Sequence, residues 1–354
     1  MFRTFHHDQG PDVTAQIPDY DLPETNRQVR LVARPVGTPK ASDFEIVSTP
    51  VSEPGDGQLL VRNLYLSADP VQRGWAANDA VQKIGDPMRS LAVGVAVKSR
   101  VEGIADGDLV YGFFGWQDYA IARRADVLTR IGKPRVSVSS YAGALGMPGV
   151  TAWLAFNGLA PPTEGQTVLV STAAGTVGSI VGQIAARAGA RPIGLTGSDD
   201  KVAMCKKRFG YAEAFNYKTV DLDEALSSAA PDGLDTFYDN TGGAILDTAI
   251  RHMKRYGRII ACGTAATPSW SPPPTGLRNE REILLRALTW SGFVIFDHAD
   301  RFEEAVERLA ELSLDGELQF EEDIDEGMPA VLDALPALFS GANRGKKLVF
   351  VGKA

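Results

Sequence analysis

Thr167-Val168-Leu169-Val170-Ser171 is followed closely by Ala173-Ala174-Gly175-Thr176-Val177-Gly178-Ser179, and then by a helical pattern from Ile180 to Ala188. An apolar β-like run, a glycine turn and a helix in that order aim backbone N–H groups at one point. The helix dipole adds a favourable positive end, and the arrangement suits the pyrophosphate of a dinucleotide. The full Gly-x-Gly-x-x-Gly pattern is not there: Ala173 takes the first glycine's place, and glycines stand at 175, 178 and 182. A glycine-rich turn alone reports only a tight bend. The strand before it and the helix after it give it the dinucleotide reading.

Working outward, strand–helix alternation begins near Tyr141. Strands are expected at 167–171, 191–195, 235–239, 258–262 and 289–296. Helices are expected at 142–157, 178–189, 199–208, 220–229 and 243–255, and an amphipathic helix at Arg301 to Leu314 ends on Asp315-Gly316. This order predicts an α/β fold with a doubly wound parallel sheet of the Rossmann type. From Arg27 to about Val127 the pattern is short β-like runs punctuated by Pro and Gly, such as Gln58 to Arg62 and Asp108 to Gly112, which predicts a small β-rich domain. Lys347 to Val351 reads as a strand able to return to it. Residues 1–25 read as an arm.

The tip of the second α/β strand discriminates between nicotinamide cofactors. An acid there serves the NAD ribose; a cation serves the NADP 2′-phosphate. Ile193-Gly194-Leu195 runs into Thr196-Gly197-Ser198 with no acid at the tip, and Lys201 follows in the first turn of the next helix. Elsewhere such a lysine would read as a solvated helix charge; here it favours NADPH/NADP+.

A formal net charge of −8 over 354 residues argues against nucleic-acid or anionic-membrane partners. No window reaches the apolar length of a membrane span. Two cysteines, Cys205 and Cys262, build no disulfide framework, and the start to Gly10 is polar, which together read as a cytoplasmic protein. There is no Cys-x-x-Cys, and the histidines are His6, His7, His252 and His298, so no metal site is expected. His298 reads as a loop residue within reach of the site. Cys262, beside Gly263, reads either as packing beneath the cofactor or as a nucleophile.

Several ordered motifs resemble the zinc-independent medium-chain dehydrogenase/reductase group that includes prostaglandin reductase, leukotriene B4 12-hydroxydehydrogenase, alkenal double-bond reductase and curcumin reductase. They are Asn63 to Pro70, Gly115 to Tyr119, Met147 to Ala152, Ala173 to Ser179, Phe215-Asn216-Tyr217-Lys218, Asp239-Asn240-Thr241-Gly242-Gly243 and Gly341 to Lys346. The resemblance implies a GroES-like domain at 26–141 completed by 315–354, around a Rossmann domain at 142–314.

It also implies roles. Gly175, Thr176, Val177 and Gly178 would meet the pyrophosphate, and Lys201 and Tyr217 the 2′-phosphate. Asn240, Cys262 and Gly263 would lie near the cofactor. Phe293, Val294 and Ile295 would flank the nicotinamide, and Asn343 would close over the cofactor from the C-terminal tail. The implied activity is NADPH-dependent reduction of the C=C bond in α,β-unsaturated carbonyl compounds; a quinone oxidoreductase or a non-catalytic NADPH-binding sensor are the alternatives. Relatives commonly carry tyrosines where this chain has Val71 and Pro268, so no protein group is named as proton donor, and a ribose hydroxyl or bound water is left to serve the substrate oxygen. Val71, Arg73, Pro268 and Trp270 are the candidate pocket residues, with Trp270 equally suited to a subunit contact. An apolar last strand, Leu288 to Phe296, suggests a homodimer formed edge to edge.

Overall fold

The computed structural model describes residues 22–267, 270 and 272–352. Most of the arm and the pocket candidate Pro268 therefore lie outside the described residues. The chain opens with an antiparallel ribbon, β1 (Thr25–Leu31) and β2 (Phe44–Pro50). Then come β3 (Gln58–Ser67), α1 (Val71–Ala77), β4 (Leu91–Ser99), β5 (Leu109–Phe113), β6 (Tyr119–Arg123) and β7 (Val127–Gly132). Two helices, α2 (Val138–Ala142) and α3 (Met147–Leu159), lead into the α/β part. The expected single helix at 142–157 is thus broken. Gly146 lies against Tyr141 O, where a Cβ would stand 2.7 Å away, and the Tyr111 hydroxyl accepts from Met147 N at 2.9 Å.

The α/β part runs β8 (Thr167–Ser171), α4 (Thr176–Arg187), β9 (Arg191–Thr196), α5 (Asp199–Arg208), β10 (Glu213–Asn216), α6 (Leu222–Ala229), β11 (Leu234–Asp239), α7 (Gly243–Arg251) and β12 (Met253–Ala261). Then follow α8 (Glu280–Arg286), β13 (Thr289–Gly292) and α9 (Phe302–Leu314). Its six strands are all parallel and lie in the order β10-β9-β8-β11-β12-β13. This is the doubly wound Rossmann sheet. The winding reverses between β8 and β11, and a crevice opens at their carboxyl ends, Ser171 and Asp239.

Strand β10 is not among the sequence expectations. It has a partner on one side only and carries Glu213 and Asn216, so its apolar content is low. The expected strand at 289–296 ends at Gly292, because Gly292 pairs with Ala261, the last residue of β12, and beyond it there is nothing to pair with. The chain then winds through a 3₁₀ segment, Ile295–Arg301.

The last elements are β14 (Glu322–Glu326), α10 (Val331–Ser340) and β15 (Lys346–Phe350). Strand β15 lies antiparallel to β3 in a seven-stranded sheet ordered β14-β15-β3-β4-β5-β7, with β6 also on β3. The tail therefore completes the first sheet. The core does not stop at the border between the two sheets. Leu64, Leu109 and Tyr111 of the seven-stranded sheet share one buried cluster with Val170 of the parallel sheet and with Phe156, Ile180 and Leu309 of the helices around it. Tyr111 stacks on Phe302 with ring centroids 6.2 Å apart.

Candidate active site and cofactor cradle

The glycine turn is built by close approach. Thr172 takes a left-handed φ of 55°, so the sharp bend falls there rather than on the missing first glycine. Ala173 is fully buried, packed against Gly194 of β9. A Cβ on Gly178 would stand 2.4 Å from Thr172 O, and one on Gly182 would stand 2.3 Å from the Tyr211 ring. The Tyr211 hydroxyl donates to Gly178 O at 2.6 Å and pins the first turn of α4. The amides of Thr176, Val177 and Gly178 have no acceptor among the described residues. Three free donors at a helix N-terminus, on a turn with no room for a side chain at Gly178, fit a pyrophosphate.

At the tip of β9, two cations meet. Lys201 Nζ donates to Gly341 O at 2.9 Å, and burial together with the nearby Lys218 ammonium pulls its pKa down. A Cβ on Gly197 would stand 3.2 Å from Tyr217 Oη and 3.5 Å from Lys218 Nζ, so both groups lean over a bare backbone. Ser198 caps α5 by accepting from Lys201 N. Neither lysine has an ion-pair partner among the described residues. Asp199, the acid nearest in sequence, accepts from Asn216 Nδ2 at 2.9 Å and is turned to other work. Two ammoniums outside any ion pair, one of them in the field of Asp323, with a phenol and a small turn, fit a 2′-phosphate. Lys218 is absent from the sequence-derived site. Its signal is the end of β10, a strand missing from the sequence expectations.

At the switch point, the buried Asp239 carboxylate accepts from Ser171 Oγ, Thr241 Oγ1 and the amides of Thr241 and Gly242, each at 2.9–3.0 Å. Burial still pushes its pKa up, against these bonds. Asn240 donates from Nδ2 to Ser171 O at 2.7 Å, which ties the ends of β8 and β11 together. Gly263 has no space for a Cβ, which would lie 2.6 Å from Asn240 O. Cys262 Sγ accepts from the Tyr238 hydroxyl at 3.4 Å, and burial pushes its thiol up to about 11. That environment suits packing rather than nucleophilic attack.

Phe293 continues from β13, its N–H donating to Ala261 O, and its ring lies flat on His298 with centroids 4.8 Å apart. Val294 is exposed and Ile295 is buried. Phe296 packs on Phe113 at 5.6 Å, and Phe113 on Trp75 of α1 at 6.0 Å. Trp75 lies one turn beyond Val71, so the two share a face of the helix. Arg73 donates to Gly37 O at 3.1 Å. Asn343 Nδ2 donates to Gly345 O, within its own turn. Trp270 stands 59% exposed, with no ring contact among the described residues. Among the described residues, no group of three or more His, Cys, Asp or Glu is arranged to hold a metal ion, and no helix is long and apolar enough to cross a membrane.

Two family descriptions match the chain: the N-terminal domain of oxidoreductase over residues 27–130 and zinc-binding dehydrogenase over 176–311. The chain is 36% identical to 2-alkenal reductase (NADP(+)-dependent) of Nicotiana tabacum, across 93% of this chain and 98% of that one. It is also 36% identical to prostaglandin reductase 1 of Bos taurus, across 89% and 95%. The crystal structure of CurA from Vibrio vulnificus in complex with NADPH is similar with a TM-score of 0.85 and 31% identity, covering 93% of this chain and 100% of that one.

Proposed function

Since the chain belongs to the medium-chain dehydrogenase/reductase family, in the group of the alkenal, prostaglandin and curcumin reductases, we propose that it reduces the C=C bond of α,β-unsaturated carbonyl compounds. It is an NADP-dependent oxidoreductase. The observation that carries the reading on this chain is that Tyr217 and Lys218 lean over Gly197 while Lys201, near enough to feel the Lys218 charge, stands in the first turn of α5.

When bound, NADPH supplies a hydride for the electrophilic β-carbon of the substrate. The chain's residues hold and orient. The amides of Thr176, Val177 and Gly178 take the pyrophosphate, and the two lysines with Tyr217 take the 2′-phosphate. Asn240 and Gly263 keep the strand ends flat beneath the cofactor. Phe293, Val294 and Ile295 border the nicotinamide side. Trp75, Phe113 and Phe296 form an aromatic wall that excludes water and fixes the alkene, an arrangement that works by positioning.

The test is NADPH oxidation with enones, enals and quinones in one assay, with NADH in parallel. Turnover of enones with a strong NADPH preference supports the reading. Turnover of quinones alone would make it a quinone reductase. Cofactor binding without any turnover would make it a binding protein.

We also propose a homodimer through the edge of β13. This strand is the last in its sheet, and Trp290 within it and Leu284 and Leu285 of α8, the helix that leads into it, are exposed. An apolar edge of this kind is a liability unless paired. Light scattering of the eluting protein, against a Trp290→Lys variant, tests it.

A further inference from the structure

His298 lies in the 3₁₀ segment Ile295–Arg301, at a kink where the backbone leaves the helical region for φ −124° and ψ 31°. Its ring folds back on Phe293. The two rings are parallel to within 4°, and both residues are half-buried. Phe293 is itself fixed to the sheet. Its N–H donates to Ala261 O at 3.2 Å, and Ala261 pairs with Gly292 where β12 and β13 end. His298 is thereby held outside the carboxyl ends of the parallel strands, the side on which such sheets take their ligands. Phe296 carries the same segment into the aromatic wall through Phe113.

A flat stack covers one face of an imidazole and leaves the edge with its two nitrogens open. Neither ring nitrogen of His298 has a hydrogen bond or an ion pair among the described residues. His252 differs, since its Nε2 lies 3.0 Å from Asp223 Oδ1. Close by, Arg301 is turned to Glu304 at 3.6 Å, and α3, which packs on the segment, carries no charged residue. An imidazole has at least one N–H whether neutral or protonated. A half-buried ring whose plane is set by a neighbour, and whose N–H is unused, is a donor arranged in advance of its acceptor.

Hydride addition at the β-carbon of a conjugated carbonyl drives an electron pair onto the carbonyl oxygen. A donor already aimed at that oxygen stabilises the charge without reorganising. We propose that His298 is this donor: a ring N–H hydrogen-bonds the substrate carbonyl oxygen, and the bond strengthens as charge gathers there. The proton stays on the imidazole, and the α-carbon takes its proton from water. The inference rests on the enone-reductase reading and adds a catalytic residue to it.

The test joins spectroscopy to kinetics. The four histidines are His6, His7, His252 and His298, so ring-nitrogen signals of histidine-labelled protein are few, and His298→Phe identifies the one it removes. The NADP+-loaded protein is titrated with a saturated ketone, and with the hydrocarbon that has a methylene group in place of the carbonyl. The ketone should shift the His298 signal and the hydrocarbon should not. His298→Phe keeps a flat ring against Phe293, so NADPH affinity, read by fluorescence, should hold. Its kcat with enones should fall about 10²–10³-fold, as for loss of one oxyanion donor. His298→Asn, which retains an N–H, should recover part of this. A ketone that leaves the His298 signal unmoved overturns the proposal. So does a His298→Phe variant with native kcat, or one whose loss of kcat comes with an equal loss of NADPH affinity. A ketone-shifted signal in a protein that turns over no enone keeps the carbonyl contact and sinks the enone-reductase reading.

Discussion

Lys346 Nζ lies 2.7 Å from Asp69 Oδ1, with both side chains 5% exposed or less. The same ammonium donates to Ala68 O, and Ser67 Oγ donates to the second carboxylate oxygen. The pair pins β15 to the turn that carries Val71 and Trp75 toward the aromatic wall. Losing one partner of a buried pair leaves an uncompensated charge. Lys346→Met should therefore cost about 3–5 kcal/mol. Asp69→Asn in the same chain should return part of it. Urea unfolding of the single and double variants checks this, and a double variant no more stable than Lys346→Met would contradict it.

The lysines at β9 and β10 predict a cofactor-selective loss. Lys201→Ala and Lys218→Ala should each raise KM for NADPH about tenfold or more, with little change for NADH. Lys218 stands by Gly197 with Lys201 close enough to feel its charge, so the two effects should not simply add. Steady-state kinetics with both cofactors decides, and equal losses with NADH would remove the 2′-phosphate role.

Two glycine substitutions should move stability in opposite directions. Gly178→Ala places a Cβ 2.4 Å from Thr172 O and 2.8 Å from Ala173 Cα, so the phosphate loop must shift. It should cost about 1–3 kcal/mol and abolish NADPH binding. Gly158 lies within α3 with open space around it, and Gly158→Ala should gain about 0.5–1 kcal/mol. Thermal melts with and without NADPH test both.

The cysteines predict an alkaline limit. Burial pushes Cys262 up to about 11 and Cys205 up to about 12, from an ordinary value of 9.0. A thiol with a raised folded pKa contributes stability that is fully present below its unfolded pKa and is lost as pH rises toward the folded value. Stability should therefore begin to fall above about pH 9, before the buried tyrosines Tyr111, Tyr211 and Tyr238 add their share above about pH 10. At pH 8 a disulfide reagent should label both thiols only after unfolding. Fast labelling of Cys262 in the native protein would show its environment to be more open than this.

What the sequence disclosed follows from the range of the forces involved. The bounds of β8 and α5 are those expected from local pattern, because an apolar run before a glycine turn and an Asp-Asp first turn after Ser198 are local signals. The Lys201 assignment was local as well. Strand β10 was not, since half of an edge strand's pattern faces no partner. The break between α2 and α3 depends on a hydroxyl from Tyr111, 36 residues away. The stacking of the Arg89 guanidinium over Trp75 and Phe113 is invisible in the sequence for the same reason: only the fold brings these residues together. Arg73, prominent in sequence beside Asp69-Pro70, donates to Gly37 O.

The return of β15 to the first sheet also orders events during synthesis. Arg62 Nη2 donates to Val351 O across 289 residues, and Lys346 reaches Asp69 across 277. The first strands to leave the ribosome thus wait for partners made much later, while the parallel sheet from Thr167 to Gly292 can close in between. A truncation before Lys346 should leave the β-rich half unfinished beside a folded α/β half, so the first sheet acquires its whole shape only once the segment that forms β15 has been made.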